Sequence, residues 1–92
     1  MLKAIYKSKF KRDVRRAIKR GKSLKKIMDA VRLLCSQSPL PPSFRDHALK
    51  GKFASYRDCH VEPDLILVYR IVDARLELVC FRLGSHADLF GN

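Results

Sequence analysis

Two helical stripes occupy the first third of the chain. In residues 8–20 the apolar positions recur at helical spacing, and Gly21 follows them as a typical left-handed residue after a helix. A second stripe runs from Leu24 to Cys35, directly behind Ser23, a residue type that caps helix N-termini. The link between the stripes is short. The pattern therefore predicts an amphipathic helical hairpin that needs an opposing apolar surface.

Strand patterns lie on both sides of this hairpin. Leu2–Tyr6 is short, apolar and β-prone, and three further strands are predicted at about 53–59, 64–72 and 75–83, with a tight turn at 73–75. In the last strand, Leu78 and Cys80 are expected on one face, and Phe81 and Leu83 on the other. The order β-α-α-β-β-β predicts an α+β fold over residues 1–92, a single domain in which the helical hairpin covers one face of a small twisted antiparallel sheet.

The charge is distributed unevenly along the chain. Residues 1–38 carry 13 of the 20 basic residues and two of the nine acidic ones, so the whole net charge of +11 lies in the helical half. Such a surface indicates a polyanion or an acidic protein as partner. No run reaches the ~18 apolar residues of a membrane span, and no secretory signal is present, so we expect a cytoplasmic protein without a membrane partner.

Three histidines lie at loops or element boundaries: His47 in an irregular loop, His60 at a corner between strands, and His86 just after the last strand. Asp64 follows the corner, and antiparallel pairing about the turn at 73–75 puts it opposite residue 84 or so. We therefore expect His86 to emerge beside Asp64 at one end of the sheet. Each histidine taken alone is more often an exposed or hydrogen-bonded structural residue than a reactive one.

Several imidazoles on a basic protein suit cleavage of an RNA phosphodiester. Attack by the ribose 2′-OH needs a base to accept its proton and an acid to protonate the leaving 5′-oxygen. Imidazole can serve as either, because its pKa is about 6.5. Arg82, through its planar guanidinium, can bridge phosphate oxygens. This chemistry requires no cofactor and no metal ion.

Three stretches resemble one family: LPPSFRDHALKG (40–51), YRDCHVEPDLILVYR (56–70) and RLGSHADLFG (82–91). They look like the YafQ branch of the RelE/ParE toxins, the toxin halves of bacterial type II toxin–antitoxin systems. The resemblance covers nearly the whole chain and implies a ribosome-dependent endoribonuclease that cuts mRNA in the ribosomal A site. Leu65 departs from the pattern, since a relative can carry tryptophan there.

Residue roles follow from the resemblance, motif by motif. It implies that the catalytic set is His47, His60, Asp64 and His86, with His86 as the principal acid or base and Asp64 orienting an imidazole or contacting the substrate. It also implies RNA contacts from Arg82 and Phe90. The helical charge predicts further RNA or phosphate contacts from Lys11, Arg15, Arg16 and Lys19. Spacing alone does not decide which histidine is the base, nor whether Phe90 packs on the sheet or stacks on a base.

The implied partners are an acidic antitoxin, the 30S A site of the ribosome and mRNA, with operator DNA bound only through the antitoxin complex. Two alternatives remain open at this stage. One is a non-catalytic module that binds RNA or DNA through the basic hairpin, with incidental histidines. The other is a gyrase-inhibiting toxin of the ParE type on the same scaffold, although that branch lacks this histidine set.

Overall fold

A computed structural model of the chain describes residues 1–91. It confirms the α+β class and the helical hairpin, and adds a short strand at His47. The elements, in chain order, are β1 (Lys3–Tyr6), α1 (Ser8–Lys19), α2 (Leu24–Ser36), β2 (His47–Ala48), β3 (Arg57–Glu62), β4 (Leu65–Val72), β5 (Glu77–Gly84) and α3 (His86–Phe90), with 3-10 turns at 42–44, 51–53 and 73–75.

The end of α1 and the start of α2 lie where Gly21 and Ser23 predict them. The Ser23 hydroxyl accepts a hydrogen bond from the Lys26 backbone N–H at 3.2 Å, which satisfies one of the free donors at the start of α2. Gly21 has a φ of +87°, the left-handed conformation that glycine adopts without strain. Ile18 and Leu24 lie at the borders of their stripes and are exposed. The remaining stripe residues face the sheet.

The sheet is mixed, which corrects the expectation of a purely antiparallel one. Its strand order is β1-β5-β4-β3-β2, and β1 pairs with β5 in parallel, Lys3 opposite Glu77 and Tyr6 opposite Cys80. The other pairs are antiparallel. A parallel neighbour needs a long crossover connection. The expected strand at 53–59 is also displaced: Gly51 (φ +67°) starts a 3-10 turn, and β3 begins only at Arg57 and passes through His60.

A β-bulge in β5 overturns the predicted alternation of that strand. Cys80 pairs with Tyr69 and Arg82 pairs with Val68, so Phe81 is an extra residue without a partner in β4. Leu83 therefore lies on the same face as Cys80, in the core, rather than on the opposite one. Period-two alternation fails here because the bulge inserts one residue into one strand only.

The core lies between the helices and one face of the sheet. Its largest fully buried side chains include Phe10 of α1, Ile27 of α2 and Leu67 of β4. Cys35, Cys59 and Cys80 are buried free thiols, and burial raises the pKa of Cys59 and of Cys80 to about 12. No helix within residues 1–91 is both long and apolar enough to cross a membrane.

Asp13 of α1 closes the edge of β5 beyond the end of β1. Its buried carboxylate accepts hydrogen bonds from the Leu83 backbone N–H at 2.9 Å and from the Arg82 Nε at 2.7 Å. Arg16 adds a third donor at 3.1 Å. An otherwise unpaired strand edge is thus satisfied by a helix side chain, which fixes α1 against the strand that leads to His86.

Candidate active site

The three histidines meet on the face of the sheet that the helical hairpin leaves open. A shallow cleft of about 280 Å³ there is lined by residues from β2, β3, β4 and α3: His47, Leu49, Asp58, His60, Ile66, His86 and Phe90. Of the predicted catalytic set, Asp64 lies outside this lining, at the end of the sheet beside α3. The sequence prediction of a shared histidine cleft therefore has a geometric basis, whereas the chemical roles stay predictions.

His47 lies on β2, directly opposite Asp58 of β3. Its Nδ1 is 2.9 Å from the backbone carbonyl oxygen of Arg45, and since a carbonyl only accepts, Nδ1 carries the proton and Nε2 keeps its lone pair. The preceding residue, Asp46, binds Arg57 at 2.8 Å and accepts a hydrogen bond from the Tyr69 hydroxyl. These contacts hold the short strand against β3 and fix where the imidazole stands.

His60 stands on β3, two residues from Asp58 and on the same face. Its Nδ1 is 3.1 Å from the carbonyl oxygen of Pro63, so the same reasoning assigns the proton to Nδ1 and leaves Nε2 as an acceptor. In neutral His47 and His60 alike, the nitrogen left free of backbone contacts is therefore the one able to take a proton from a substrate hydroxyl.

His86 is the first residue of α3, which Ser85 and Asp88 cap reciprocally. Its ring lies against Phe90, with 5.1 Å between ring centroids. Asp64 Oδ1 accepts a hydrogen bond from the His86 backbone N–H at 3.2 Å, so the two residues are adjacent, as the register predicts. In this structure Asp64 thus holds the backbone of His86, and does not contact its imidazole.

Asp58 is the site residue that the sequence analysis missed. Its side chain is 5% exposed, and Oδ1 lies 3.2 Å from His47 Nδ1. That contact does not satisfy it, because the Nδ1 proton points to Arg45; within residues 1–91, Oδ1 is a buried side-chain oxygen without a hydrogen-bond donor. Burial raises the pKa of Asp58, and the three histidines oppose that rise. Placing Asp58 and His60 on one strand, two apart, would have revealed it, but β3 was predicted to end at residue 59.

The predicted RNA-binding residues differ in how free they are. Arg82 is paired with Asp13, and this hydrogen bond is the main reason that its pKa is raised. Arg16 contacts Asp13 and lies 3.7 Å from Asp88. Lys11, Arg15 and Lys19 are exposed on α1. Phe90 packs edge-on against Phe53, with 6.4 Å between centroids, and one side of it borders the cleft.

The arrangement supplies proton donors and acceptors rather than a metal cage. Within residues 1–91, no three His, Cys, Asp or Glu side chains are grouped closely enough to hold a metal ion. Cys59, next to His60, faces the core on the other side of the sheet. What remains is a set of imidazoles over a buried carboxylate, flanked by cations, which is suited to acid–base chemistry on an anionic substrate.

Known proteins are similar to this chain over almost its whole length. The family described as "Bacterial toxin of type II toxin-antitoxin system, YafQ" matches residues 2–91. The mRNA interferase toxin YafQ of Escherichia coli K12 is 42% identical over 87 residues, covering 94% of this chain and 92% of that protein. A putative toxin YafQ of Haemophilus influenzae is 38% identical over 92 residues, covering 95% and 90%.

Solved structures give the same result for the fold. A metal-bound toxin from Helicobacter pylori superposes with a TM-score of 0.92 at 41% identity, covering 98% of this chain and all of that one. The toxin in the E. coli DinJ–YafQ complex gives a TM-score of 0.88 at 40% identity, covering 99% of this chain and all of that one. Similarity of this extent in sequence and in structure fixes the family.

Proposed function

Because the chain belongs to the YafQ family of toxins from bacterial type II toxin–antitoxin systems, we propose that it is an mRNA interferase, an endoribonuclease that inhibits translation by cutting mRNA in the ribosomal A site. The observation that carries the proposal is the convergence of His47, His60 and His86 on one cleft of a strongly basic protein. The E. coli relative, named an mRNA interferase, supports the same activity.

The proposed reaction is attack of the ribose 2′-OH on the adjacent phosphate. One imidazole accepts the hydroxyl proton and another protonates the leaving 5′-oxygen, each contributing ~10²–10⁴-fold. His86 is the proposed principal acid or base. His47 and His60 share the proton transfer by accepting a proton at Nε2, or hold phosphate by donating from Nε2 once that atom carries a proton. Imidazoles supply both transfers, so the mechanism needs no metal and no cofactor.

Asp64 and Asp58 support this set from different positions. Asp64 fixes the start of α3 through the His86 N–H, so its proposed role is to orient His86 as a whole residue. The buried Asp58 carboxylate lies beneath the cleft, with Oδ1 3.2 Å from His47 Nδ1, and its proposed role is to support that imidazole. Phe90, which lines the cleft, and Arg82, which lines the adjoining cavity, are the proposed contacts to a base and to phosphate.

The partners follow from the charge and from the family. The exposed cations of α1 are proposed to bind ribosomal RNA outside the cleft, and the activity is accordingly proposed to take place in the cytoplasm. A toxin that damages its own cell must be held inactive, and E. coli YafQ is known in complex with DinJ. We therefore propose an acidic antitoxin as the partner of this chain too, with operator DNA bound only through that complex.

His86→Ala tests the proposed reaction. After inducible expression in bacteria, primer extension should map mRNA cleavage with the natural chain and none with the variant, and growth arrest should disappear with it. Arg75→Ala, in the exposed turn between β4 and β5, is the matched control and should cut normally. His86 is exposed, so the variant should keep its stability and its antitoxin binding.

Two other outcomes would favour the alternatives. If His86→Ala still arrests growth and DNA supercoiling falls, the chain acts on gyrase rather than on mRNA. If neither the natural chain nor His86→Ala cuts mRNA, and both bind RNA with equal affinity, the chain is a binding module with incidental histidines. Either outcome contradicts the proposed reaction without affecting family membership.

A charge reversal on α1 tests the proposed ribosome contact. Replacing Lys11, Arg15 and Lys19 by glutamate should weaken ribosome binding and reduce the slope of log affinity against log salt by roughly 0.7–0.9 for each phosphate that the variant no longer neutralises. The control is the same reversal at Lys25, Lys26 and Arg32 of α2, which changes the net charge equally. Equal effects of both variants would mean that net charge, rather than the α1 surface, governs binding.

A further inference from the structure

A second aromatic cluster lies on the open face of the sheet, beyond the histidine cleft. Tyr56 and Phe81 are stacked, with 4.7 Å between ring centroids and 26° between ring planes. The Arg70 guanidinium lies over the Tyr56 ring at 5.7 Å. All three side chains are only partly buried. None of them has a part in the proton-transfer site.

The β-bulge explains why Phe81 is on this face. Cys80 and Leu83 both face the helices, and a regular strand would have one residue between two side chains on the same face. The bulge puts two residues there, so Phe81 and Arg82 both turn away from the core. Bulges often re-aim side chains next to functional sites. This one adds an aromatic ring to the open face without removing the cation.

An apolar slot connects the cluster to the histidine cleft. A cavity of about 100 Å³ is lined by Phe81 and Phe90 among others, and its lining includes the two cations Lys9 and Arg82. It shares Leu49 and Phe90 with the histidine cleft. Two adjoining cavities therefore lead from His86 past Phe90 to Phe81 of the Tyr56–Phe81 pair, and we call this path the row.

We propose that Tyr56, Phe81 and Arg70 form a second stacking platform, which holds a nucleobase of the single-stranded RNA substrate away from the cleaved phosphate. This inference rests on the proposed ribonuclease activity. Tyr56 lies directly before β3 and four residues before His60, about 13 Å away at the rise per residue of extended backbone. That separation fits the base of a neighbouring nucleotide rather than one attached to the phosphate that is cut.

The chemistry of the row fits single-stranded RNA. Aromatic rings stack on unpaired bases of any sequence, and arginine planes do the same, while nearby cations follow the backbone. Lys9, Lys52 and Arg82 lie along the row, Lys52 at 5.4 Å from the Phe53 ring centroid. Two rings with a purely structural role need not lie beside a cavity that adjoins the histidine cleft. A protein surface docking on the same rings is the competing explanation that the test must separate.

Binding can be measured without cleavage in the His86→Ala background. The probe is a single-stranded RNA heptamer and a matched series with one abasic nucleotide at each position, followed by NMR of the aromatic rings. We expect Tyr56→Leu to weaken binding by ~5- to 150-fold, the equivalent of 1–3 kcal/mol per stacked base. Tyr56→Phe should restore it, because the stacking ring remains. At one abasic position the parent and Tyr56→Leu should bind equally.

Tyr6→Leu is the control, because Tyr6 is also a stacked surface aromatic but pairs with Phe10 on the far edge of the sheet. It should leave RNA affinity unchanged. The proposed platform would be overturned if Tyr56→Leu lowered the affinity equally for every abasic probe. It would also be overturned if the NMR signals of the Tyr56 and Phe81 rings did not change when RNA is added. Weaker antitoxin binding with unchanged RNA binding would assign the rings to protein docking. Failure of the natural chain, with His86 in place, to cut mRNA would instead count against the proposed activity alone.

Discussion

The two faces of the sheet differ in what covers them. On the helix face, alternating residues of β4 and β5 such as Leu67, Leu78 and Leu83 are fully buried beneath α1 and α2. On the open face, the same strands and β3 present histidines, arginines and partly exposed aromatic rings, covered only by α3 and the segment around β2. Strand alternation thus separates the residues that hold the fold together from those that face a substrate.

Two buried aspartates show the same contrast. Asp13 accepts hydrogen bonds from Arg16, Arg82 and the Leu83 backbone N–H, so its burial is fully compensated. Asp58, beneath the histidine cleft, has an oxygen without a donor among the described residues. A buried oxygen of this kind costs stability, and natural proteins retain such costs mainly where function requires them. The unpaired Asp58 oxygen on the open face therefore lowers the free energy of unfolding, and packing on the helix face offsets this cost.

Leu67→Ala should have the largest effect on stability. Leu67 is fully buried on the helix face, and truncating a buried leucine lowers the free energy of unfolding by about 2–5 kcal/mol. Urea denaturation measures this change, while mRNA cleavage by the folded fraction should stay unchanged. His60→Gln is the counterpart on the open face: the same unfolding midpoint, with cleavage reduced ~10²–10⁴-fold. Abolished cleavage with little change in stability in Leu67→Ala would break the division between the faces.

Asp58→Asn should raise the free energy of unfolding at neutral pH and lower mRNA cleavage. Since burial raises the pKa of Asp58, the natural chain is most favoured below the unfolded pKa of about 3.9 and loses that advantage as pH rises through the folded value. The variant should gain about 0.5–2 kcal/mol at neutral pH, the range of single stabilising changes. The gain should vanish near pH 3, and cleavage should fall because the carboxylate beneath the imidazoles is gone.

Thermal unfolding at several pH values measures that gain. The matched control is Asp13→Asn, which removes the charge from the compensated aspartate and should destabilise the protein instead. If both variants are less stable at neutral pH, Asp58 is compensated by contacts like those of Asp13, and the contrast between the two faces fails.

The sequence predicted well whatever depends on local pattern. Both helices follow their apolar stripes, and Ser23 and Gly21 mark their boundaries. The parallel pairing of β1 with β5 was not predictable, because it depends on the path of the two helices and three strands between them. Nor could the sequence predict the bulge at Phe81, since one inserted residue looks like regular alternation in an apolar strand.

The candidate site was predictable only in part, because contacts between residues far apart along the chain do not show in the local sequence pattern. The histidines were found because their residue type and boundary positions are visible, and the family motifs fixed their order. Asp58 was missed because the predicted strand stopped at residue 59, which left His60 at a corner and concealed that the two residues share one face of β3. Arg82 carries a second fact invisible in sequence: its guanidinium is held by Asp13, 69 residues away along the chain.

Asp88→Asn is expected to have the smallest effect, and it tests the joint between the two regions. Asp88 Oδ2 accepts hydrogen bonds from the Ser85 backbone N–H at 3.0 Å and from Arg20 of α1 at 2.7 Å. It thereby ties α3, which carries His86 and Phe90, to the helix that covers the core. The Ser85 bond is the main reason, and Arg20 a further one, that the pKa of Asp88 falls to about 2.

A lowered pKa stabilises the fold above the unfolded value of about 3.9, and this stabilisation is lost as pH falls through about 2. Asp88→Asn should therefore lower the free energy of unfolding at neutral pH by about 0.5–2 kcal/mol, as removal of a cap does. The ion pair with the half-exposed Arg20 adds little to this loss, because solvent screens it. Cleavage should fall by less than the ~10²-fold that losing an acid or base costs, since His86 is loosened but not removed. Acid titration by circular dichroism, with Asp73→Asn in the exposed turn between β4 and β5 as control, measures the first effect and primer extension the second. A fall in cleavage as large as that of His86→Ala would mean that Asp88 acts in the site itself, rather than as the link between the two regions.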